Sequence, residues 1–245
     1  MKRKYALLFA FMITALIAFN SSIFNSLNNA ETAVILRVID GDTLELEDGR
    51  IIRLLNVNTP EKNEFGSELG TEYLKTFEGS SVNLKTEGVD KYERTLARIY
   101  SQNSDYINLE LVKKGYAKKF LVSSSELSDF SKAEDSAVKN FLGIWKKSNF
   151  YDCLNADIDE DAEIVKIKNL CEADMSNWII KDESRKTLVI PKPFITGLSI
   201  HSSGGEDNET DIFWDSNTNI WNNDRDTLYL LDSESKIILH ESYGY

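Results

Sequence analysis

From Ala33 onward, short apolar runs alternate with turn residues. Ala33–Ile39 is apolar apart from Arg37 and reads as a strand, closed by the turn Asp40-Gly41-Asp42. Thr43–Glu47 alternates and reads as a second strand. Asp48-Gly49 turns the chain into a third strand, Ile51–Val57, completing a meander. Ser67–Phe77 sets Leu69, Tyr73, Leu74 and Phe77 at helical spacing. Ser81–Thr86 and Leu96–Tyr100 read as strands, and a helix begins at Ile107 and stops at Gly115. Ser125–Trp145 repeats Leu127, Phe130, Ala133, Ala137 and Phe141 at steps of three and four, predicting an amphipathic helix. Five short strands with a few helices predict a small α+β barrel.

The pattern then changes. Asp152–Ala162 is acidic, and residues 151–162 read as a linker. Beyond it, Glu163–Leu170 alternates, Trp178–Ile180 and Thr187–Ile190 are short strand-like runs, and Ser202-Ser203-Gly204-Gly205 is a turn cluster. Thr227–Leu231 and Lys236–His240 form an expected hairpin. Frequent turns without a helical period predict an all-β sandwich over residues 163–245, beside a barrel domain over 31–150.

Residues 1–30 follow a different logic. Lys2-Arg3-Lys4 precedes an apolar run, Tyr5–Phe19, broken only by Thr14. A secretory signal peptide and an N-terminal membrane anchor through residues 5–27 both fit this pattern. Either one makes the protein exported, extracellular or attached to the cell surface. In an exported chain the two cysteines, Cys153 and Cys171, are candidates for one disulfide.

Charge separates the two halves. Residues 31–148 carry 17 Lys/Arg against 20 Asp/Glu, and residues 149–245 carry 8 against 20. An acidic second half repels phosphate backbones and argues against nucleic acid as its own ligand.

The polar residues at the strand ends of the barrel form a chemical group. Asp40 and Asp42 sit in the first turn, Arg53 within the third strand, Asn58, Thr59 and Glu61 after it, and Lys91, Tyr92 and Arg94 before Leu96. In a meander, the first turn and the end of the third strand lie together. Carboxylate, amide and carbonyl oxygens suit a hard cation such as Ca2+ or Mg2+. Arginines grip phosphate bidentately, and a glutamate deprotonates or orients water. The combination fits metal-assisted phosphodiester hydrolysis. Taken singly, each piece also has an ordinary reading, as a tight turn, a strand cation or a charged loop.

The segments "VIDGDT", "IRLLNVNTPE", "FGSE", "DKYERTLARIY", "INLELVKKGYA" and "GIW" resemble, in order and spacing, the staphylococcal (thermonuclease-like) nuclease family over Ala33–Trp145. The resemblance implies an OB-fold barrel of five strands with three helices and Ca2+-dependent cleavage of DNA or RNA. It implies Arg53, Glu61 and Arg94 as the catalytic set. It also implies Asp42, Asn58 and the Thr59 carbonyl as the calcium site, Asp40 as a carboxylate backing it, and Lys91 and Tyr92 as substrate contacts. The chain departs from the family in four ways: Asn58 replaces the usual aspartate, Glu93 replaces a glycine, the stacking tyrosines have no clear match, with Phe120 a candidate substitute, and the domain is mildly acidic where the family's best-known members are basic. Asn58, Glu93 and the acidic balance favour the alternative of a weak or inactive nucleic-acid or surface-binding module. The second half, through "SNWIIKDESRKTLVIP" and "WNNDRDTLYLL", resembles a lamin-tail domain, which implies an immunoglobulin-like sandwich.

Overall fold

The computed structural model describes residues 31–62, 64–184 and 186–245. The targeting segment expected at residues 1–30 lies outside them. Among the described residues, no helix is long and apolar enough to cross a membrane.

Five strands close into a barrel: β1 (Glu31–Val38), β2 (Thr43–Leu46), β3 (Ile51–Leu54), β5 (Ser81–Val89) and β6 (Thr95–Tyr100). The order is β1-β2-β3-β6-β5, and β1 pairs back onto β5. Only β3 and β6 run parallel within it. Inward residues such as Ile35, Leu44, Ile52, Leu84 and Ile99 are fully buried, as strand alternation dictates.

The third strand is shorter than its apolar pattern predicts. Asn56 takes a left-handed φ of 67°, a conformation Asn tolerates better than branched residues. Its amide donates to Glu126 at 2.9 Å and to the Tyr106 hydroxyl at 3.2 Å. Past this break the chain forms β4 (Val57–Asn58), which leaves the barrel and pairs with β7 (Lys118–Lys119). Burial pushes Glu126 up, but bonds from Arg98, Asn56 and Tyr106 outweigh it and hold the carboxyl near 2. This cluster ties the strand break to the barrel.

Helix α1 (Ser67–Lys75) follows, then α2 (Ile107–Lys113) and α3 (Leu127–Lys139). Helix α3 buries Phe130, Ala133, Glu134, Ala137 and Val138, an unbroken stripe at helical spacing. It ends sooner than predicted, because Phe141 and Gly143 both have positive φ. Gly143 then passes so close to Gly115 that a Cβ would lie 2.1 Å from the Gly115 carbonyl oxygen.

The second unit has two four-stranded sheets. One has the order β11-β10-β14-β15 and contains Thr187–Val189, Ile179–Lys181, Asp226–Leu231 and Ile237–Tyr243. The other has the order β13-β12-β9-β8 and contains Asp211–Phe213, Gly197–His201, Ile164–Asn169 and Leu154–Asp159. Both contribute to one core, which includes Trp178 and Trp221. The segment read as a linker is thus corrected in part. Leu154, Ala156 and Ile158 alternate with Asn155, Asp157 and Asp159 and form strand β8. The acidic residues are simply its outward face. Cys153 and Cys171 are bonded, with Cα atoms 5.3 Å apart, and bracket the β8–β9 pair.

The two units are packed together. Trp145 stacks on Tyr229, with ring centroids 5.5 Å apart, in a cluster with Ala137, Val138, Ile144, Leu231 and Ile237. Beside it, the Lys119 ammonium lies 2.6 Å from the Glu134 carboxylate, and both are essentially inaccessible to solvent. Lys119 also donates to Thr227, and the Tyr229 hydroxyl donates to Glu134. Burial pushes Glu134 up, and the charges and hydrogen bonds of Lys119 and His240 more than reverse this, holding it near 2.

Removing one partner of such a pair strands the other charge. Glu134→Ala is expected to cost about 3–5 kcal/mol in urea unfolding. The apolar double variant Lys119→Met/Glu134→Leu should recover most of that. Because Glu134 titrates below its usual value, its contribution is present above pH 4.5 and lost as pH falls towards about 2. Unfolding midpoints measured across that range check the sign.

Candidate active site

The buried carboxylate of Asp42 organises one end of the barrel. Its Oδ2 accepts the Thr59 backbone N–H at 3.0 Å and the Thr59 hydroxyl at 3.2 Å, and lies 3.1 Å from an Arg53 guanidinium nitrogen. Its Oδ1 accepts the Thr43 hydroxyl. Residues from β2, β3 and the exit of β4 therefore meet on one side chain. Register explains why: Thr43 pairs with Arg53, and the Leu54 N–H donates to the Asp42 carbonyl.

Asp40 lies in the same turn, where its Oδ1 accepts the Asp42 N–H at 3.0 Å. Burial and the charge of Asp42 raise its carboxyl above the ordinary value. Gly41, between the two, lets Thr59 and α1 close on the turn. A Cβ there would lie 2.7 Å from the Thr59 hydroxyl, and a Cβ added at Gly70 of α1 would lie 3.1 Å from the Gly41 Cα and 3.0 Å from the Thr59 methyl.

Asn58 is buried, and its side-chain oxygen has no hydrogen-bond partner among the described residues. A buried carbonyl-type oxygen without a partner costs free energy, on the order of 1–3 kcal/mol, unless something donates to it or coordinates it. It stands one residue before Thr59, which is tied to Asp42, so the donor set suits a hard cation. Among the described residues, no group of three or more His, Cys, Asp and Glu gathers to hold a metal. The candidate oxygens are instead one carboxylate, one amide and one backbone carbonyl, and an ion there would have to compete with Arg53 and Thr59 for Asp42.

Glu61 follows Pro60 on an exposed loop and lines a cavity of about 350 Å3, together with Asn58, Thr59 and Glu64. The turn before β6 carries the other expected residues. Arg53 pairs with Leu96, so Arg94, two positions earlier, shares its outward face of the sheet. Its guanidinium is closed on Asp90, at 2.7–2.8 Å, and lies over the ring of Tyr92. Lys91 covers the same ring, and Tyr92 is exposed. Glu93 has a φ of 64°, so the backbone here takes the conformation glycine adopts without strain. The structure thus gathers Arg53 and Thr59 around Asp42, with Asp40 in the same turn and Asn58 next to Thr59, and carries Lys91, Tyr92 and Arg94 on the turn that leads into β6, the neighbour of Arg53's strand. Phe120 lies beside the strand break, its N–H bonded to the Asn56 carbonyl.

Several residues in the cavity wall had no signal in the sequence. Lys118 pairs with Asn58 in register, and its ammonium sits 3.9 Å from the Tyr229 ring centroid. Burial and the nearby charge of Lys181 lower it to about 7. Glu183, from the second unit, is raised to about 7 by burial and by the charges of Glu134 and Asp226. These residues meet only because the two units dock.

A closed barrel with three helices and an acid–amide–arginine group at one end defines an OB-type domain with the parts of a phosphodiesterase. The family model described as staphylococcal nuclease homologue matches residues 51–147. That span holds Arg53, Asn58, Thr59, Glu61 and Arg94, and begins after Asp40 and Asp42. The chain is 31% identical over 140 residues to Endonuclease YhcR of Bacillus subtilis, covering 47% of this chain but 11% of that protein. It is 32% identical over 123 residues to an endonuclease of Haemophilus influenzae described as uncharacterized, covering 48% and 68%. It is 35% identical over 149 residues to the uncharacterized protein MJ1439 of Methanocaldococcus jannaschii, covering 47% and 72%. The chain belongs to the staphylococcal nuclease homologue family.

Gly41→Ala forces a methyl group into Thr59. Overpacking of this kind costs about 1–3 kcal/mol. Chemical denaturation should show that loss, whereas Gly49→Ala, with open space around its added methyl, should lose less despite its φ of 88°.

Proposed function

We propose that this chain is an exported, Ca2+-dependent nuclease that hydrolyses phosphodiester bonds of DNA or RNA. The observation that carries the reading is the buried Asn58 oxygen, without a partner among the described residues, next in sequence to the Thr59 that Asp42 gathers with Arg53. Family membership and the endonuclease names of its relatives support the reaction class.

In this reading Asp42, Asn58 and the Thr59 carbonyl would hold the ion, with Asp40 behind them. Bound Ca2+ would supply positive charge that offsets the charge building on the phosphate. Glu61 accepts a proton from the attacking water as its oxygen bonds to phosphorus; the bond from phosphorus to the leaving sugar oxygen breaks, and that oxygen takes up a proton from solvent. Arg53 and Arg94 bind the phosphate oxygens and offset the negative charge that builds there. Arg94 exchanges Asp90 for phosphate when substrate arrives. Lys91 and Tyr92 contact the strand beside it.

A weaker catalyst or a binding module is the second reading. The engagement of Arg94 by Asp90 and the acidic Glu93 next to it favour it. For export, the disulfide adds support to the N-terminal pattern, since such bonds persist in oxidising compartments. The second unit is read as a lamin-tail-like, immunoglobulin-like sandwich, and it or the N-terminus associates the enzyme with the membrane or cell envelope.

Digestion of plasmid DNA with Ca2+, and its loss in EGTA, is the first expected outcome. Glu61→Gln should lower the rate by about 10²–10⁴-fold, and Arg94→Ala by about 10²–10³-fold. Unchanged digestion in both variants overturns the mechanism, and no digestion by the unmodified chain favours the binding module.

Asn58→Asp restores a negative charge to the proposed ion site. Calorimetry should show tighter Ca2+ binding in that variant. Equal affinity would remove Asn58 from the ligand set.

A further inference from the structure

We infer that Lys181, in the second unit, is a positioning residue for Glu61 and so makes that unit part of the catalytic apparatus. The inference rests on the nuclease reading. The Lys181 ammonium lies 2.8 Å from one carboxylate oxygen of Glu64. The other oxygen of Glu64 accepts the backbone N–H of Glu61 at 3.0 Å, and the Glu64 N–H returns a bond to the Glu61 carbonyl at 2.8 Å. Glu64 is therefore a two-ended link, gripping Glu61 by its backbone and Lys181 by charge.

The far end of the link is rigid. Lys181 is flanked in its sheet by Thr187 on one side and Tyr229 on the other, and Tyr229 is locked to Trp145 and Glu134. Glu61 itself is exposed, on a loop that leaves the barrel after Pro60. An exposed loop carrying a general base needs an external hold, since misplacement by about 1 Å costs up to about a hundredfold in rate. The cavity of about 350 Å3 lies at this junction, with Asn58, Thr59 and Glu61 from the barrel and Lys181 and Asp182 from the second unit. The second unit thus walls one side of the loop that carries Glu61.

The pair is partly open to solvent and adds little to stability. Its effect is on geometry, which separates this role from a structural one. The test uses the full chain, its Lys181→Ala variant and its Lys181→Arg variant, at saturating Ca2+. Lys181→Ala should lower kcat about tenfold, in the range seen for residues that orient catalytic groups. KM and Tm should stay close to those of the unmodified chain, and Lys181→Arg should restore kcat. Hydrogen exchange at the Glu61 amide should also quicken several-fold in Lys181→Ala. Unchanged kcat and unchanged exchange overturn the inference, as does a kcat loss that follows Tm and is not rescued by arginine. If the unmodified chain digests nothing, the nuclease reading fails, and amide exchange alone decides whether Lys181 holds the loop.

Discussion

The candidate site depends on one buried carboxylate. Asp42 accepts from Thr59 and pairs with Arg53, so a turn, a barrel strand and the segment beyond the strand break are tied at one point. A buried charge of this kind must be fully compensated. That requirement sets the backbone of Thr59 and thereby the direction of the Pro60–Glu61 loop. Gly41 and Gly70 make the arrangement sterically possible, because each yields space that a methyl group would fill.

The second constraint acts between the units. A hydrophobic contact through Trp145 and Tyr229 surrounds a dry ion pair, Lys119–Glu134. Such a pair stabilises only weakly against an apolar alternative, but it penalises any docking that separates its partners. The acidic second unit thereby sits against the barrel in one orientation. Beside that contact lie Lys118 and Glu183, whose ordinary charged forms burial disfavours. The second unit is thus more than an appended tether: it shapes the surroundings of Glu61.

Much of the barrel was legible in the chain. Alternation in Thr43–Leu46 and the three-and-four spacing in α3 follow from burying one face of a strand or helix, which is a local property. The strand break at Asn56 was hidden, because the apolar run continues through Val57 and its cause, Glu126, lies 70 residues away. The linker reading failed at β8 for a related reason. Its acidic outward face masked Leu154, Ala156 and Ile158, whose partners lie in β9. Strands β12 and β13 are short, and their pairing is evident only in the assembled sheet.

The sequence by itself determined the residue types at the site, their order and the strands that carry them, because covalent spacing and side-chain period are written along the chain. Only the tertiary structure decided that the Asn58 oxygen has no partner among the described residues, that Arg94 rests on Asp90, and that Lys181 reaches Glu64 across 117 residues. Those outcomes depend on which surfaces exclude water together, and no local pattern records that.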